Sequence, residues 1–380
     1  MYFQFSEEQK IIRDTTKKFM EERLAPRQKD DEKKGVFRRE LVSEMGKLGF
    51  FGSVIPEEYG GTNTGFLTAA IITEEIAKVS ASYAGLVNSQ ATGPGLALLK
   101  YGTKEQKDKY LPRLVSGDAI GSVGVTEPDA GSDVASMKMT ARKNEKGYVL
   151  NGTKTWITNA PVADLCLVFA YTSKEMKYQG ISCFLVEMKE IPGITTHPIE
   201  TLGLSCSLTG EINFQEVQLP ADCLLGTPGK GFPMVMEMFG NLRLFAAACA
   251  MGLGGACLEA SVKYVKERQQ FGQQLAKFQM IQEQIAEMYI ELEAAKLLVY
   301  QTALNKDKGK DDNIEGSLAK YVASEAAVKA ADVTSKIFGA YGFSMEYPVQ
   351  RFVRDSRAFT TFEGTSNIQK MIMVKQLLNP

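Results

Sequence analysis

One histidine and one tryptophan, His197 and Trp156, are all the chain has of either. A single imidazole cannot build a histidine metal site, and a Ser-His or Cys-His nucleophile would depend wholly on His197. That residue sits in Thr195-Thr196-His197-Pro198, a setting that reads as an exposed strand or turn. Paired cysteines are missing too. Cys166, Cys183, Cys206, Cys223, Cys249 and Cys257 include no Cys-x-x-Cys spacing and lie among apolar neighbours, so they read as buried free thiols in a reducing compartment. Nor is there an excess of charge: 44 Lys and Arg face 45 Asp and Glu, and the net charge of −1 gives no basic field for nucleic acid. No apolar run is expected to reach the length of a membrane span, and residues 1–10 carry neither a signal nor a transit pattern. The expectation is a cytoplasmic bacterial protein or a mature mitochondrial matrix protein. The chemistry must then come from carboxylates or from a bound cofactor.

A length of 380 residues allows two or three packed units. Up to about residue 120 the pattern is helical. Ser6 with Gln9 opens a helix through Arg23 that Pro26 ends; others cover 40–48, 67–79, 80–99 (broken by Gly93-Pro94-Gly95) and 103–115. From Ile120 to Glu216 come short runs rich in Val, Ile, Thr and Phe with turns between them, and Asn151-Gly152 reads as a hairpin turn. Helical spacing returns at 231–267, 279–306, 314–338 and 366–378. The order helices–strands–helices argues against a doubly wound sheet. It predicts an α+β, mainly α chain with a helical domain at 1–120, an antiparallel β-barrel or sandwich domain at 121–230 and a helical bundle at 231–380. Gly252-Leu253-Gly254-Gly255 looks like part of a dinucleotide fingerprint but lacks a preceding strand, so close helix packing is the better reading.

Four stretches could carry chemistry. Val125-Thr126-Glu127-Pro128-Asp129-Ala130-Gly131-Ser132-Asp133 is either an acidic turn or a loop whose backbone N–H groups and hydroxyls bind a flat ring or a phosphate. Trp156, followed by Ile157-Thr158-Asn159, is either core or a ring lying on a polar ligand. Arg268, before Phe271-Gly272, is a solvated helix end or a phosphate ligand. Phe362-Glu363-Gly364-Thr365, leading into an apolar helix, offers one carboxylate on a loop.

In order and spacing these stretches, together with Pro56–Gly61, Tyr341-Gly342 and Arg354-Asp355, resemble the acyl-CoA dehydrogenases over essentially the whole chain. The resemblance implies that family's fold (helical domain, β domain, four-helix bundle) and FAD bound at the subunit interface of a homotetramer or dimer. It implies FAD contacts from Val123, Val125, Thr126, Ser132, Trp156, Ile157 and Thr158, and from Thr365 and Asn367 after the catalytic position. Arg268, Phe271, Phe278 and Gln279 match positions that contact the FAD of a neighbouring subunit, and Lys336, Gly339 and Ala340 lie in another FAD segment, where many relatives have Gln and Gly for Lys336 and Ala340. Ser132, Asn241, Leu242, Arg243, Glu363 and Gly364 are implied to meet the acyl-CoA, and Tyr83, Leu86, Val87, Gln90 and Ala91 are candidate pocket walls.

Glu363 falls on the family's catalytic base, which removes an α-proton while FAD takes a β-hydride. An electron-transfer flavoprotein then accepts the electrons. Some relatives keep the base just before the Arg243 equivalent, where this chain has Leu242. Glutaryl-CoA dehydrogenases place an Arg on the pocket helix near Tyr83-Ala84 to meet a distal carboxylate. This chain has no charged residue from Val79 to Leu99, so an uncharged short, branched or alicyclic acyl chain is expected. The alternatives are a glutaryl-CoA dehydrogenase and a non-catalytic scaffold of the same fold.

Overall fold

A capping box starts the first helix. Gln9 N donates to Ser6 Oγ at 3.1 Å and Ser6 N to Gln9 Oε1 at 3.0 Å, which satisfies two of the helix's free N–H groups. The computed structural model describes residues 4–189, 191–310 and 313–378, so the outermost residues of the two expected helical domains, 1–3 and 379–380, lie outside the described residues. The N-terminal helices are α1 (Glu7–Phe19), α2 (Gln28–Lys34), α3 (Arg39–Lys47), α4 (Phe66–Val79), α5 (Ala81–Val87), α6 (Leu96–Tyr101) and α7 (Lys104–Val115), the last opened by a second capping box on Thr103. The expected break at Gly93-Pro94-Gly95 does not occur. Residues Asn88–Gly95 form a π-helical stretch joining α5 to α6, a wider turn that accommodates Pro94 without stopping the helix.

The middle strands are β1 (Gly121–Gly124), β2 (Thr140–Asn144), β3 (Gly147–Thr158), β4 (Leu165–Tyr171), β5 (Ile181–Glu187), β6 (Ile194–Pro198), β7 (Thr209–Leu219) and β8 (Leu224–Leu225). They form an eight-stranded sheet in the order β6-β7-β3-β2-β4-β5-β8, with β1 added to β4. The sheet is mixed rather than antiparallel, because β1 runs parallel to β4. Asn151-Gly152 is not a hairpin turn either. It lies inside β3 at a register shift, where Asn151 Oδ1 accepts from Glu216 N at 2.8 Å and fixes a bulge; the turn falls at Glu145-Lys146. Every residue of β4 is buried, and its alternation divides two cores. Leu165, Leu167 and Phe169 face the helices, while Cys166, Val168 and Ala170 face the β core with Leu150, Phe184 and Ile212.

The C-terminal part begins with α8 (Gly231–Glu267), 37 residues and about 55 Å long. A small hairpin, β9 (Gln269–Gln270) and β10 (Gln273–Gln274), leads to α9 (Gln279–Asp307), α10 (Asn313–Phe338), α11 (Val349–Phe359) and α12 (Ser366–Leu378). By length and apolarity α8 meets the requirement of a membrane span, contrary to the sequence reading. Most of its apolar window is buried in the protein, so that apolarity serves the core. The glycines of α8 let α4 approach. A Cβ on Gly252 would stand 2.3 Å from the Glu74 carbonyl oxygen. Gly252→Ala is expected to cost about 1–3 kcal/mol through overpacking; an unchanged melting temperature would show that the two helices can part freely. All six cysteines are free, and His197 lies exposed on β6.

Candidate functional site

Between α11 and α12 the chain makes a tight turn in which Glu363 has φ 54° and Gly364 φ 91°. Glycine takes this left-handed region freely, whereas a glutamate does so at a cost, a sign of a conformation kept for use. Gln369 Nε2 of α12 donates to the Gly364 and Glu363 carbonyls at 2.8 and 3.2 Å, and Lys320 Nζ of α10 donates to the Gly364 carbonyl at 2.8 Å. Burial pushes the Glu363 carboxyl up to about 7, against the opposing pull of Lys320 and Arg243. Arg243, on α8, is 8% exposed, and its Nε has no hydrogen-bond partner among the described residues. Desolvation lowers its pKa, partly offset by Glu363. A carboxyl poised near neutrality, facing two desolvated cations, is the electrostatic pattern of a reaction site.

A second group of residues lines one edge of the β domain. Val123 lies in β1 against the helices, and Val125 comes just after the strand, its carbonyl accepting from Lys154 Nζ at 2.9 Å. Thr155 N donates to the Thr126 carbonyl at 2.9 Å, which seats the Thr126 loop on β3. There a second register shift and a φ of 59° turn Trp156 outward, 61% exposed; Thr158 is exposed beside it and Ile157 points back into the β core. The hydroxyls of Thr126, Ser132 and Thr158 make no hydrogen bond among the described residues. Ser132 leads into an open groove of about 480 Å³ walled by Asp133, Ser136, Tyr171, Lys174 and Tyr178.

The pocket helix is apolar and tightly used. Tyr83 OH accepts from Arg38 N at 2.7 Å, and Gln90 spends its amide on the Leu114 and Ala119 carbonyls and Gly121 N. Leu86, Val87 and Ala91 are buried core. A cavity of about 20 Å³ opens one turn further along, lined by Thr92, Gly93, Leu96 and Ala97 of the helix and by Met238 and Asn241 of α8. Asn241 Oδ1 accepts from Lys306 Nζ at 2.9 Å, and Leu242 abuts Gly93. The remaining candidates lie elsewhere. Arg268 ends α8 beneath the Tyr341 ring, Phe271 is 93% exposed with φ 52° on the β9–β10 hairpin, and Phe278 and Gln279 start α9. Lys336 pairs with Asp332 at 2.7 Å on the last turn of α10, ahead of exposed Gly339 and Ala340. Thr365 and Asn367 begin α12, with Thr365 Oγ1 accepting from Ile368 N at 3.3 Å.

Residues 6–118, 122–217 and 229–378 match, in turn, the N-terminal, middle and C-terminal domains of acyl-CoA dehydrogenase. The chain belongs to the acyl-CoA dehydrogenase family. It is 44% identical to a glutaryl-CoA dehydrogenase of Desulfococcus multivorans over 98% of this chain and 97% of that one. Among solved structures, butyryl-CoA dehydrogenase from Megasphaera elsdenii superposes with a TM-score of 0.97 at 37% identity, covering 100% of both chains. A chain from a study of the electron transferring flavoprotein of Acidaminococcus fermentans gives 0.98 at 36% identity, again covering 100% of both. A glutaryl-CoA dehydrogenase from Mycobacterium smegmatis in complex with FADH2 gives 0.93 at 31%, covering 99% of this chain and 96% of that one.

Like other acyl-CoA dehydrogenases, this protein is an oxidoreductase acting on a CH–CH bond, and its cofactor is FAD. The β-domain edge fits that group: an outward tryptophan ring, unpartnered threonine hydroxyls and a fixed loop suit a flat heteroaromatic system. Arg268, which closes no ion pair among the described residues, suits a pyrophosphate. Sequence reasoning missed Lys320 and the buried Lys154–Glu127 pair. Lys320 had a usable signal, since it shares the helical spacing of Ala323 and Ala327, both fully buried.

Proposed function

We propose that Glu363 is the base that takes the α-proton from an uncharged short, branched or alicyclic acyl-CoA, giving the 2-enoyl-CoA. The observation behind this reading is the Glu363 carboxyl itself, raised to about 7 and standing near Arg243 and Lys320. At neutral pH such a carboxyl is partly ionised yet basic enough to pull on a weakly acidic C–H. FAD, when bound, accepts the β-hydride, so that the C–H electron pair at the α-carbon becomes the new double bond. Glu363 holds the proton on a carboxyl oxygen until it leaves to solvent. Arg243 and the backbone N–H groups of the Glu363 turn are suited to the negative charge that develops on the thioester oxygen. Ser132 and the groove with Lys174, Tyr171 and Tyr178 would hold the CoA part through hydroxyl, ammonium and aromatic contacts.

The cavity beneath the pocket helix supports the uncharged acyl chain. It has no Lys, Arg or His in its lining, and the one carboxylate among its walls, Glu237, is held by Lys100 at 2.7 Å, so a distal carboxylate would find no free cation there. The similarity to a glutaryl-CoA dehydrogenase supports the opposite reading. Anaerobic titration of the yellow protein decides between them. Butyryl-CoA is expected to bleach the flavin and to turn over at least about tenfold faster than glutaryl-CoA, since a desolvated unpaired carboxylate costs more than 1.4 kcal/mol. Preference for glutaryl-CoA would overturn this assignment. A scaffold without turnover would bleach with neither.

We further infer a homotetramer or dimer, with electrons passed to an electron-transfer flavoprotein. Arg268 lies 25 residues beyond Arg243 on α8, about 37 Å along the helix. One flavin cannot easily meet both within a single chain, which supports contacts from a second copy. Exposed Met371, Val374 and Leu377 on α12 and Met280 and Ile290 on α9 offer apolar surface for it. Domain borders after residues 120 and 230 suit this arrangement, and the bacterial relatives favour the cytoplasm.

A further inference from the structure

Lys320 is 0% exposed in the middle of α10. A lysine is almost never fully buried unless its charge has a task or a partner. Among the described residues Lys320 closes no ion pair; its ammonium donates at 2.8 Å to the Gly364 carbonyl, one peptide from Glu363. The charged groups around it are Glu363 in the turn, Arg243 from α8 and Glu325 on its own helix. Glu325 is engaged by Ser366 Oγ at 2.6 Å, which fastens the start of α12 to α10. Burial lowers the Lys320 ammonium to about 8, with Glu363 pulling the other way, and Lys320 is the foremost influence lowering Glu363. The ammonium and the Gln369 amide thus grip one carbonyl of the left-handed turn from two helices, but only the ammonium brings charge.

We propose that Lys320 is a positioning residue for the Glu363 turn: its ammonium clamps the Gly364 carbonyl and supplies the cation against which the Glu363 carboxylate forms. The proposal rests on Glu363 being the base. Three variants separate charge from hydrogen bonding. Lys320→Met removes both, Lys320→Gln keeps a donor without charge, and Gln369→Leu removes a donor to the same carbonyl and no charge.

The rising limb of kcat/KM against pH, with butyryl-CoA, is expected to move up by about one pH unit in both Lys320 variants. Activity near pH 7 then falls about tenfold and recovers by pH 9. In Gln369→Leu the whole profile drops and the limb stays in place. A readout without turnover accompanies this: the gain in melting temperature from Glu363→Gln at pH 8 is larger in the Lys320→Gln background than in the wild type. Unmoved limbs in both Lys320 variants, beside an inactive Glu363→Gln enzyme, would overturn the proposal. An active Glu363→Gln enzyme would remove the base reading and the proposal with it.

Discussion

Glu363→Gln is expected to leave a yellow, folded protein that binds acyl-CoA and turns it over at least about 10³-fold more slowly, within the range of general-base removal. The substitution keeps the side chain's size and the left-handed backbone of the turn, so FAD binding and assembly should be unchanged. The wild-type kcat/KM should rise with pH through about 7, because the base must be ionised and burial holds its carboxyl there. The same carboxyl carries a cost in stability. Its folded value lies above the unfolded 4.5, so the native state prefers the protonated form, and stability is lost as pH rises from about 4.5 to 7. The loss is on the order of 3 kcal/mol at pH 8. Glu363→Gln therefore melts higher than the wild type at pH 8 and nearly level with it at pH 5. Full activity with FAD in place, or a stability difference that does not depend on pH, would count against Glu363 as a desolvated base.

Legibility in the sequence follows how local each cause is. The helix start at Ser6 with Gln9 is set by residues within four positions, and the structure has it as expected; the capping box at Thr103 and the Phe271-Gly272 reversal are equally local. Where long-range packing decides, the reading went astray. Pro94 looked like a helix break, but the surrounding core holds a π-helical turn through it. Asn151-Gly152 had the chemistry of a hairpin turn, yet β7 pairs on both sides and makes it a bulge. α11 (Val349–Phe359) and the parallel pairing of β1 left no local trace strong enough to read. For the site, Glu363 stood out through its neighbours in sequence. Lys320, 43 residues away, meets the turn only after α10 packs on α12, and only its place on an alanine stripe hinted at burial. The pocket helix showed its lack of charge correctly, but which of its turns lines the cavity depends on where α8 crosses it.

Lys154→Met is expected to cost about 3–5 kcal/mol, because it strips the partner from a buried charge. Lys154 is 0% exposed, and its Nζ reaches Glu127 Oε1 at 2.8 Å and the Val125 carbonyl at 2.9 Å. Desolvation lowers the ammonium's pKa while Glu127 raises it, so the pair holds its charges by mutual attraction. The Glu127 carboxylate also accepts from Lys138 N at 2.5 Å and Met139 N at 3.1 Å, and without Lys154 it stays buried with those two donors alone. For a chain of 380 residues the cost corresponds to a melting temperature lower by roughly 4–6 °C. A second effect follows from position. Lys154 ties Val125 and Glu127 together across Thr126, so its loss frees the loop proposed to meet the flavin. FAD affinity should fall at least about tenfold, the worth of roughly one charge-assisted hydrogen bond. The pair Glu127→Gln with Lys154→Met removes both charges and should recover part of the stability, since no bare carboxylate remains. It should not recover the FAD affinity, because nothing replaces the bond to the Val125 carbonyl. Thermal melts and FAD titration of the wild type and the two variants separate the two effects. A Lys154→Met protein that melts within 1 °C of the wild type and binds FAD equally well would show that the loop holds its shape without the buried pair.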